Sequence, residues 1–398
     1  MKQYAVIEIT NTVARLVVGN VLDENPVIVY STERPIEGLV TRGEIADFNG
    51  LVDVLANMRK ISDEALRLRL TISEASVIVP PLGLEIFQTD KTTNVVSPTS
   101  IIEAIDIQNV LSLVQKERVT SGSEIVDIIP DFFVLEQTGT FVEPPIGQKS
   151  NTLSLRAKVH SMPSRVIDDY KRVVESAGIH VRRLMVSSYA TLEYLKSTKI
   201  TPNNYLIMDM GAGSTTLSLV GGNCLFNSNV ILLGGNDLSL QIADEFDIDP
   251  LKATELMELY GISDREMSFD PVISSGISDR TVTDLNRVIE EFFREFYFKQ
   301  LDVGLATLLT GYSQRVARLP IIVTGGFSKL KGVQKLLQEK FKENESVTFV
   351  SPHVVGARNP KYCASLGALV VSTHYKGTLS DQRARVSPVE RVGDKSEE

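Results

Sequence analysis

The chain has 398 residues, enough for two or more hydrophobic cores and too many for one compact unit. A net charge of -9 and a pI near 5.2 argue against a general nucleic-acid surface, which needs a concentrated basic face. The 2 cysteines, Cys224 and Cys363, cannot build a disulfide scaffold or an all-cysteine zinc site, and no segment supplies the roughly 18 apolar residues of a membrane span.

Met1 to Tyr4 lead directly into the strand Ala5–Ile9 without the long apolar stretch of a signal peptide, and the expectation is a cytosolic protein with thiols that are buried and inert. The strand is followed by a polar turn, Thr10-Asn11-Thr12, and by two more extended runs at 14–19 and 26–30. From Ile45 to Leu70 the apolar period changes, with Leu51, Val54, Leu55, Met58, Ile61, Ala65 and Leu68 three or four apart, which predicts one helix. Val77–Val79 is a strand stopped by Pro80-Pro81.

A small inserted unit is expected from residue 83 to 161. It holds a helix over 99–114, strands at 125–130, 132–135 and 153–160, and a turn at Pro144–Gly147. A helix over 164–178 and a strand at 181–184 then return the chain to the first lobe.

From Asn204 the opening pattern repeats. Tyr205–Met208 and Leu217–Val220 resemble the first pair of strands in spacing, and each pair is joined by a hydroxyl-rich turn. Helices are expected from Asp237, over 250–260 and over 281–309. The Phe292, Phe293, Phe296 and Phe298 group reads as core packing, not as a nucleic-acid platform. A buried strand at 319–324, a helix through Val333 to Phe341, a strand at 347–350 and a small-residue helix over 362–372 complete the fold. Residues 377–398 have almost no apolar face and read as a disordered tail.

Four strand-end stations carry the chemistry. Glu8 ends the first strand beside Thr10, Asn11 and Thr12. Asp209 ends its counterpart beside Gly211, Ala212, Gly213, Ser214 and Thr215. Glycines and hydroxyls in such turns leave amide donors for a phosphate, and a carboxylate beside each suits a hard cation such as Mg2+. Gly234, Gly235 and Asp237 open a helix whose N-terminus faces an anion or a polar ring. Gly325, Gly326 and Phe327 follow a buried strand and offer a flat shelf for a purine and ribose. There is no Gly-x-x-x-x-Gly-Lys loop and no Gly-x-Gly-x-x-Gly opening a strand-helix unit, so P-loop and dinucleotide readings lose ground. The four histidines lack metal-ligand spacing, and no serine has a histidine-acid relay.

In these motifs the chain resembles the actin, heat-shock chaperone and sugar-kinase ATPase superfamily over residues 4–375, and within it the FtsA family. The resemblance implies an α/β actin-like ATPase fold of duplicated ribonuclease H-like domains, with the FtsA/PilM-type inserted subdomain. The segments 124–130, 133–135, 145–147 and 155–160 are similar to that subdomain, and Asn359-Pro360-Lys361-Tyr362-Cys363-Ala364-Ser365-Leu366-Gly367 is similar to the FtsA pattern Pro-Arg-Tyr-Ala-x-x-x-Gly. The resemblance assigns 1–82 with 162–200 to the first lobe, 83–161 to the insert, 201–233 with 311–376 to the second lobe and 234–310 to a fourth subdomain.

It further implies that ATP with Mg2+ binds between the lobes: Glu8–Thr12 as first phosphate loop, Asp209–Thr215 as second, Thr324–Leu330 as adenosine loop. Glu8 and Asp209 would lie at the metal, with Asp209 as catalytic carboxylate. The implied partners are the FtsZ C-terminal tail, other copies of the chain and other division proteins. The implied place is the cytoplasmic face of the membrane at the division site, with indirect membrane contact. Thr10 departs from the family's usual glycine and implies crowded or rerouted phosphate contacts and weak hydrolysis. The segment Val386–Asp394 departs from the family's basic amphipathic end, so either the sequence is a shortened chain or the membrane anchor is another protein. Two alternatives stand beside this reading: a PilM-like ATP-binding scaffold of a pilus or secretion assembly, and a phosphotransferase with Asp209 as base, for which no sugar pocket is legible.

Overall fold

The computed structural model describes residues 3–22, 25–63, 68–136, 138–199, 201–262, 271–273 and 279–374. The tail expected to be disordered and the Val386–Asp394 segment lie outside these residues.

The first lobe begins with the antiparallel meander β1 (Tyr4–Ile9), β2 (Val13–Leu22) and β3 (Asn25–Pro35). A short hairpin, β4 (Val40–Thr41) and β5 (Glu44–Ile45), leads to α1 (Phe48–Met58), a second hairpin β6 (Lys60–Asp63) and β7 (Leu68–Thr71), and β8 (Glu74–Val79). The inserted unit comprises β9 (Glu85–Asn94), α2 (Ala104–Gln115), β10 (Ser123–Leu135), β11 (Gly139–Phe141) and β12 (Thr152–Pro163). The chain returns through α3 (Ser164–Ser176), β13 (His180–Val186) and α4 (Ser187–Ser197).

The second lobe repeats the meander in β14 (Asn204–Met210), β15 (Thr215–Gly221) and β16 (Cys224–Ile231). It continues through α5 (Gly235–Phe246), α6 (Pro250–Leu259), β17 (Pro271–Ile273), β18 (Arg280–Thr281), α7 (Val282–Glu291), a π-helical segment Phe292–Tyr297 and α8 (Phe298–Leu308). Then come β19 (Ile321–Thr324), α9 (Val333–Lys340), β20 (Val347–Phe349) and α10 (Cys363–His374).

The two main sheets have the same order. The first runs β13-β8-β1-β2-β3 and the second β20-β19-β14-β15-β16, each with an antiparallel meander on one side and parallel strands on the other. The duplication expected from the sequence is therefore present strand for strand. In each sheet the first strand is central and ends in a carboxylate or next to one, Glu8 in β1 and Asp209 in β14. Three apolar cores stabilise this arrangement: one around Val6, Leu16, Val77 and Leu195, one around Leu238, Ile289, Phe293 and Val323, and one inside the insert around Val110, Phe133 and Leu155.

Three expectations need correction. The helix expected over 45–70 ends at Met58, and Ile61 and Leu70 then face each other in the β6–β7 hairpin with their side chains buried. Their spacing satisfies a helical period as well as a hairpin, and the long-range pairing decides. The helix expected from residue 99 starts at Ala104, because the buried Asp106 carboxylate accepts from the amides of Glu103 (2.9 Å) and Val96 (2.8 Å) and fixes the start there. Third, α10 was assigned to the second lobe. It packs against α4 and on β1, β2, β3 and β8, and its Leu366 and Leu369 belong to the first core.

The insert is tied to both lobes. Arg183 Nη2 on β13 donates to both carboxylate oxygens of the buried Asp127 on β10, at 2.7 and 2.6 Å, beside a buried His160 that meets Tyr189 edge to face at 5.5 Å. On the other side, Lys158 of β12 sits 4.2 Å from the ring centre of Phe226 on β16, and the Cys224 thiol lies 3.8 Å from Asp131.

Candidate functional site

The carboxyl ends of β1 and β14 open into one cleft between the lobes, a cavity of about 610 Å3. That volume is within the ordinary range of small-molecule sites, roughly 300–1,000 Å3. Of the residues expected at a site, Glu8, Thr10, Asn11, Thr12, Asp209, Gly211, Ala212, Gly213, Ser214, Gly235, Gly325, Gly326 and Phe327 line it. The two hairpin turns meet across it: a β-carbon on Gly213 would stand 3.0 Å from Asn11 Cβ and 3.6 Å from Thr12 Cγ2. Gly213 thus stands close against the first turn, and a larger residue there would push the two turns apart.

The first turn is held by Thr10. Its hydroxyl oxygen accepts from the amides of Val13 (3.0 Å) and Thr12 (3.2 Å), and the hydroxyl donates to the Val13 carbonyl at 2.9 Å. Two amides of the first turn are thus already satisfied by the protein's own hydroxyl. Asn11 Oδ1 is engaged by the Gly43 amide at 2.7 Å.

The second turn is closed by the Gly211 amide donating to the Ser214 carbonyl at 2.8 Å. Its outward carbonyls accept from the start of α5: Asn236 donates to Ala212 at 2.8 Å and Gly235 to Gly211 at 3.2 Å. The helix N-terminus therefore clamps the second turn. It does not present those two amides to a ligand, contrary to expectation.

Gly234 and Asp237 do not line the cleft. Asp237 turns back to accept from the Gly234 amide at 2.8 Å and faces an outer groove. Gly234 is needed for the close approach, since a β-carbon would be 2.5 Å from the carbonyl oxygens of Gly211 and Ala212. Thr215 is also misplaced by sequence reasoning: its hydroxyl is fully buried between the Leu233 carbonyl (3.0 Å) and Tyr297 Oη (2.8 Å). Strand alternation sends Thr215 into the second core and turns Thr216 to the cleft.

On the shelf, Gly325 has φ +88°, and its missing side chain leaves room for the Asp209 carboxylate and the Met210 carbonyl. Phe327 lies largely in the core, stacked on Phe293 at 5.8 Å, and also borders the cleft. Burial raises the Asp209 carboxyl to about 7; the nearby Glu8 charge adds to the rise and Arg15 opposes it. Asp209 keeps partial exposure to the cleft, so its desolvation is that of a deep slot and not of a sealed core. Cys363 is buried, and burial pushes its thiol up to about 12, in keeping with an inert cysteine.

Glu8 is not placed as a metal ligand. Its Oε2 accepts from Arg15 at 2.5 Å and from the Ser365 hydroxyl at 2.7 Å. Arg15, Glu33, Thr254 and Glu258 line the cleft without a signal in the sequence motifs, and Thr216, Lys329 of the 324–330 loop and Asn359 and Lys361 of the 359–367 segment line it as well. Among the described residues no group of three histidine, cysteine, aspartate or glutamate side chains is arranged to hold a metal ion. Glu8 Oε2, expected at Mg2+, is thus already committed to Arg15 and Ser365 and fits direct coordination of the ion poorly.

The paired sheets, the four strand-end turns and the interlobe cleft define an actin-like ATPase fold. Solved structures agree: the PilM–PilN type IV pilus biogenesis complex matches with a TM-score of 0.62 at 18% identity, covering 94% of this chain and 99% of that one. MreB5 of Spiroplasma citri bound to ADP matches with a TM-score of 0.52 at 12% identity over 92% of this chain and 95% of that one. The ethanolamine utilization protein EutJ of Carboxydothermus hydrogenoformans gives 0.52 at 13% identity over 93% and 90%.

In sequence, the chain resembles the cell division protein FtsA. The family model of that name matches residues 206–367. FtsA of Bacillus subtilis (strain 168) is 23% identical over 378 residues, 92% of this chain and 82% of that protein. FtsA of Enterococcus hirae is 25% identical over 369 residues, 90% and 80% of the two chains.

Proposed function

We propose that this chain is an actin-like, ATP-binding protein of bacterial cell division that assembles with copies of itself and links the FtsZ tail to the division machinery. The observation that carries the reading is the meeting of the two duplicated hairpin turns at Gly213 and Asn11, across a cleft of nucleotide size, in a chain similar to FtsA over most of its length. ATP bridging both turns would favour the closed arrangement of the lobes by its differential affinity for it, and assembly would follow that shift. Gly325 and Gly326 would lie against the adenosine, and Gly211, Gly213 and Ser214 against the phosphates. Asp209 is the carboxylate placed to accept a proton, and with two amides of the first turn taken by Thr10, hydrolysis is slow or absent. Any magnesium would arrive as the complex with the triphosphate.

We divide the chain by the ranges read from its sequence, with α10 moved to the first lobe. In the 234–310 subdomain an open groove of about 520 Å3, lined by Asp237, Leu240, Gln241, Asp244, Glu245 and Phe296, supports docking of the FtsZ tail. No described helix is long and apolar enough to cross a membrane. We place the protein at the cytoplasmic face of the division site through its partners.

Calorimetry with ATP tests the core of the reading: the wild type binds and Gly213→Arg does not. A wild type without affinity for any adenine nucleotide removes the reading. The PilM-like likeness favours a second one, a pilus or secretion scaffold. Pull-down with an FtsZ tail against a pilus inner-membrane protein tail separates the two.

A further inference from the structure

We propose that Arg15 is the built-in counter-charge of the phosphate cleft and that nucleotide binding by this protein does not depend on magnesium. The proposal rests on the nucleotide reading above and adds to it the charge state of the site.

The backbone register sets the geometry. Glu8 lies directly opposite Arg15 in the β1–β2 pair, and Arg15 lies opposite Glu33 in the β2–β3 pair. The three form a cross-strand ladder at the cleft wall. Arg15 donates to Glu8 at 2.5 Å through Nη1 and to Glu33 at 2.6 Å through Nε, and Nη1 also reaches the Lys361 carbonyl at 2.8 Å. Its guanidinium carbon sits 5.0 Å from the ring centre of Tyr362, and its side chain is only 4% exposed. Lys361 Nζ closes the set on Glu33 at 2.8 Å. The ladder therefore holds its cation rigidly, with bonds from three elements.

A divalent cation at a phosphate site offsets two repulsions, that within the triphosphate and that between the triphosphate and nearby carboxylates. Here part of the second is already offset, because Glu8 carries a guanidinium at contact distance. A dication brought to Glu8 would face the Arg15 guanidinium at contact distance, while Mg2+ itself gives up water reluctantly. Lys329, on the loop of Gly325 and Gly326, adds a further positive charge to the cleft. The free nucleotide should therefore bind about as well as its magnesium complex.

The test is a titration of the full chain with ATP in excess magnesium and again in excess EDTA. The expected dissociation constants agree within about threefold. In Arg15→Met, binding without magnesium weakens by roughly tenfold or more and is restored by adding the metal, while Arg15→Lys behaves like the wild type. A wild type that loses roughly tenfold or more in EDTA overturns the proposal and leaves the nucleotide reading standing. A wild type that binds in neither condition overturns both. The wild-type comparison decides the matter even if Arg15→Met fails to fold.

Discussion

Gly367 of α10 packs against the backbone of Ala190 on α4 with no room for a β-carbon between them. A side chain at 367 would collide with the Ala190 carbonyl and come within 2.8 Å of the Tyr194 amide nitrogen. The contact seats α10 on the first lobe and so holds Lys361 at the cleft wall and Ser365 against Glu8. Gly367→Ala is expected to cost about 1–3 kcal/mol or more, as overpacking does when the obstacle is backbone. Urea denaturation would measure it; a variant as stable as the wild type would mean that the two helices can part without cost.

Thr10 can be tested by two replacements that act oppositely. Thr10→Ser keeps a hydroxyl to accept from the Thr12 and Val13 amides and should leave nucleotide affinity unchanged. Thr10→Gly releases both amides, and one recovered charge-assisted hydrogen bond corresponds to roughly tenfold tighter binding. Equal affinities in calorimetry across wild type, Ser and Gly would show that the first turn does not meet the phosphates.

The Asp209 carboxyl predicts a pH dependence. It is raised to about 7 in the fold, above its ordinary 3.8. The native state thus holds the proton more tightly than the unfolded chain, and the stability this contributes is present below the ordinary value and lost as pH rises through about 7. An incoming triphosphate adds negative charge and favours the protonated form further. Affinity should therefore weaken as pH rises through about 7, and Asp209→Asn should flatten the profile. A wild-type profile that is already flat there would show that Asp209 does not face the phosphates.

At the foot of the insert, Arg183→Met strips Asp127 of its buried partner, and breaking such a pair from one side costs about 3–5 kcal/mol. The double replacement with Asp127→Leu should recover most of the loss. His160 beside them is held neutral, its pKa lowered to about 3 by burial and by Arg183. A depressed histidine contributes stability present above its ordinary value of 6.5 and lost as pH falls through about 3. Thermal unfolding followed from neutral to acid pH should show an acid-side loss that His160→Phe reduces; identical curves would remove His160 as its source.

Much of this architecture was readable in advance, because the duplicated meander repeats both its apolar strands and its turn chemistry. What escaped reading depends on relationships between strands. Ser214, Thr215 and Thr216 present three hydroxyls in a row, and only the phase of β15 against the core decides that the middle one is buried. Arg15 could have been found by counting outward from the Thr10–Thr12 turn, which pairs it with Glu8. The strands β9 and β16 went unnoticed since β9 is rich in threonine and charge and β16 in asparagine and serine, so that neither shows a clean apolar alternation. Helix α10 was put in the wrong lobe because an almost uniformly apolar, small-residue helix carries no mark of which sheet it will cover.

The π-helical turn at Phe292–Tyr297 gives the outer groove its aromatic wall. With 3.6 residues per turn, Phe296 would stand above Phe292 and enter the core. The wider turn puts Tyr297 there instead, buried at 2%, and leaves Phe296 54% exposed. The exposed aromatic wall of the groove is therefore a matter of count more than of composition: removing one residue from this turn would draw the ring inward, and a single codon deletion or insertion would remove or restore it.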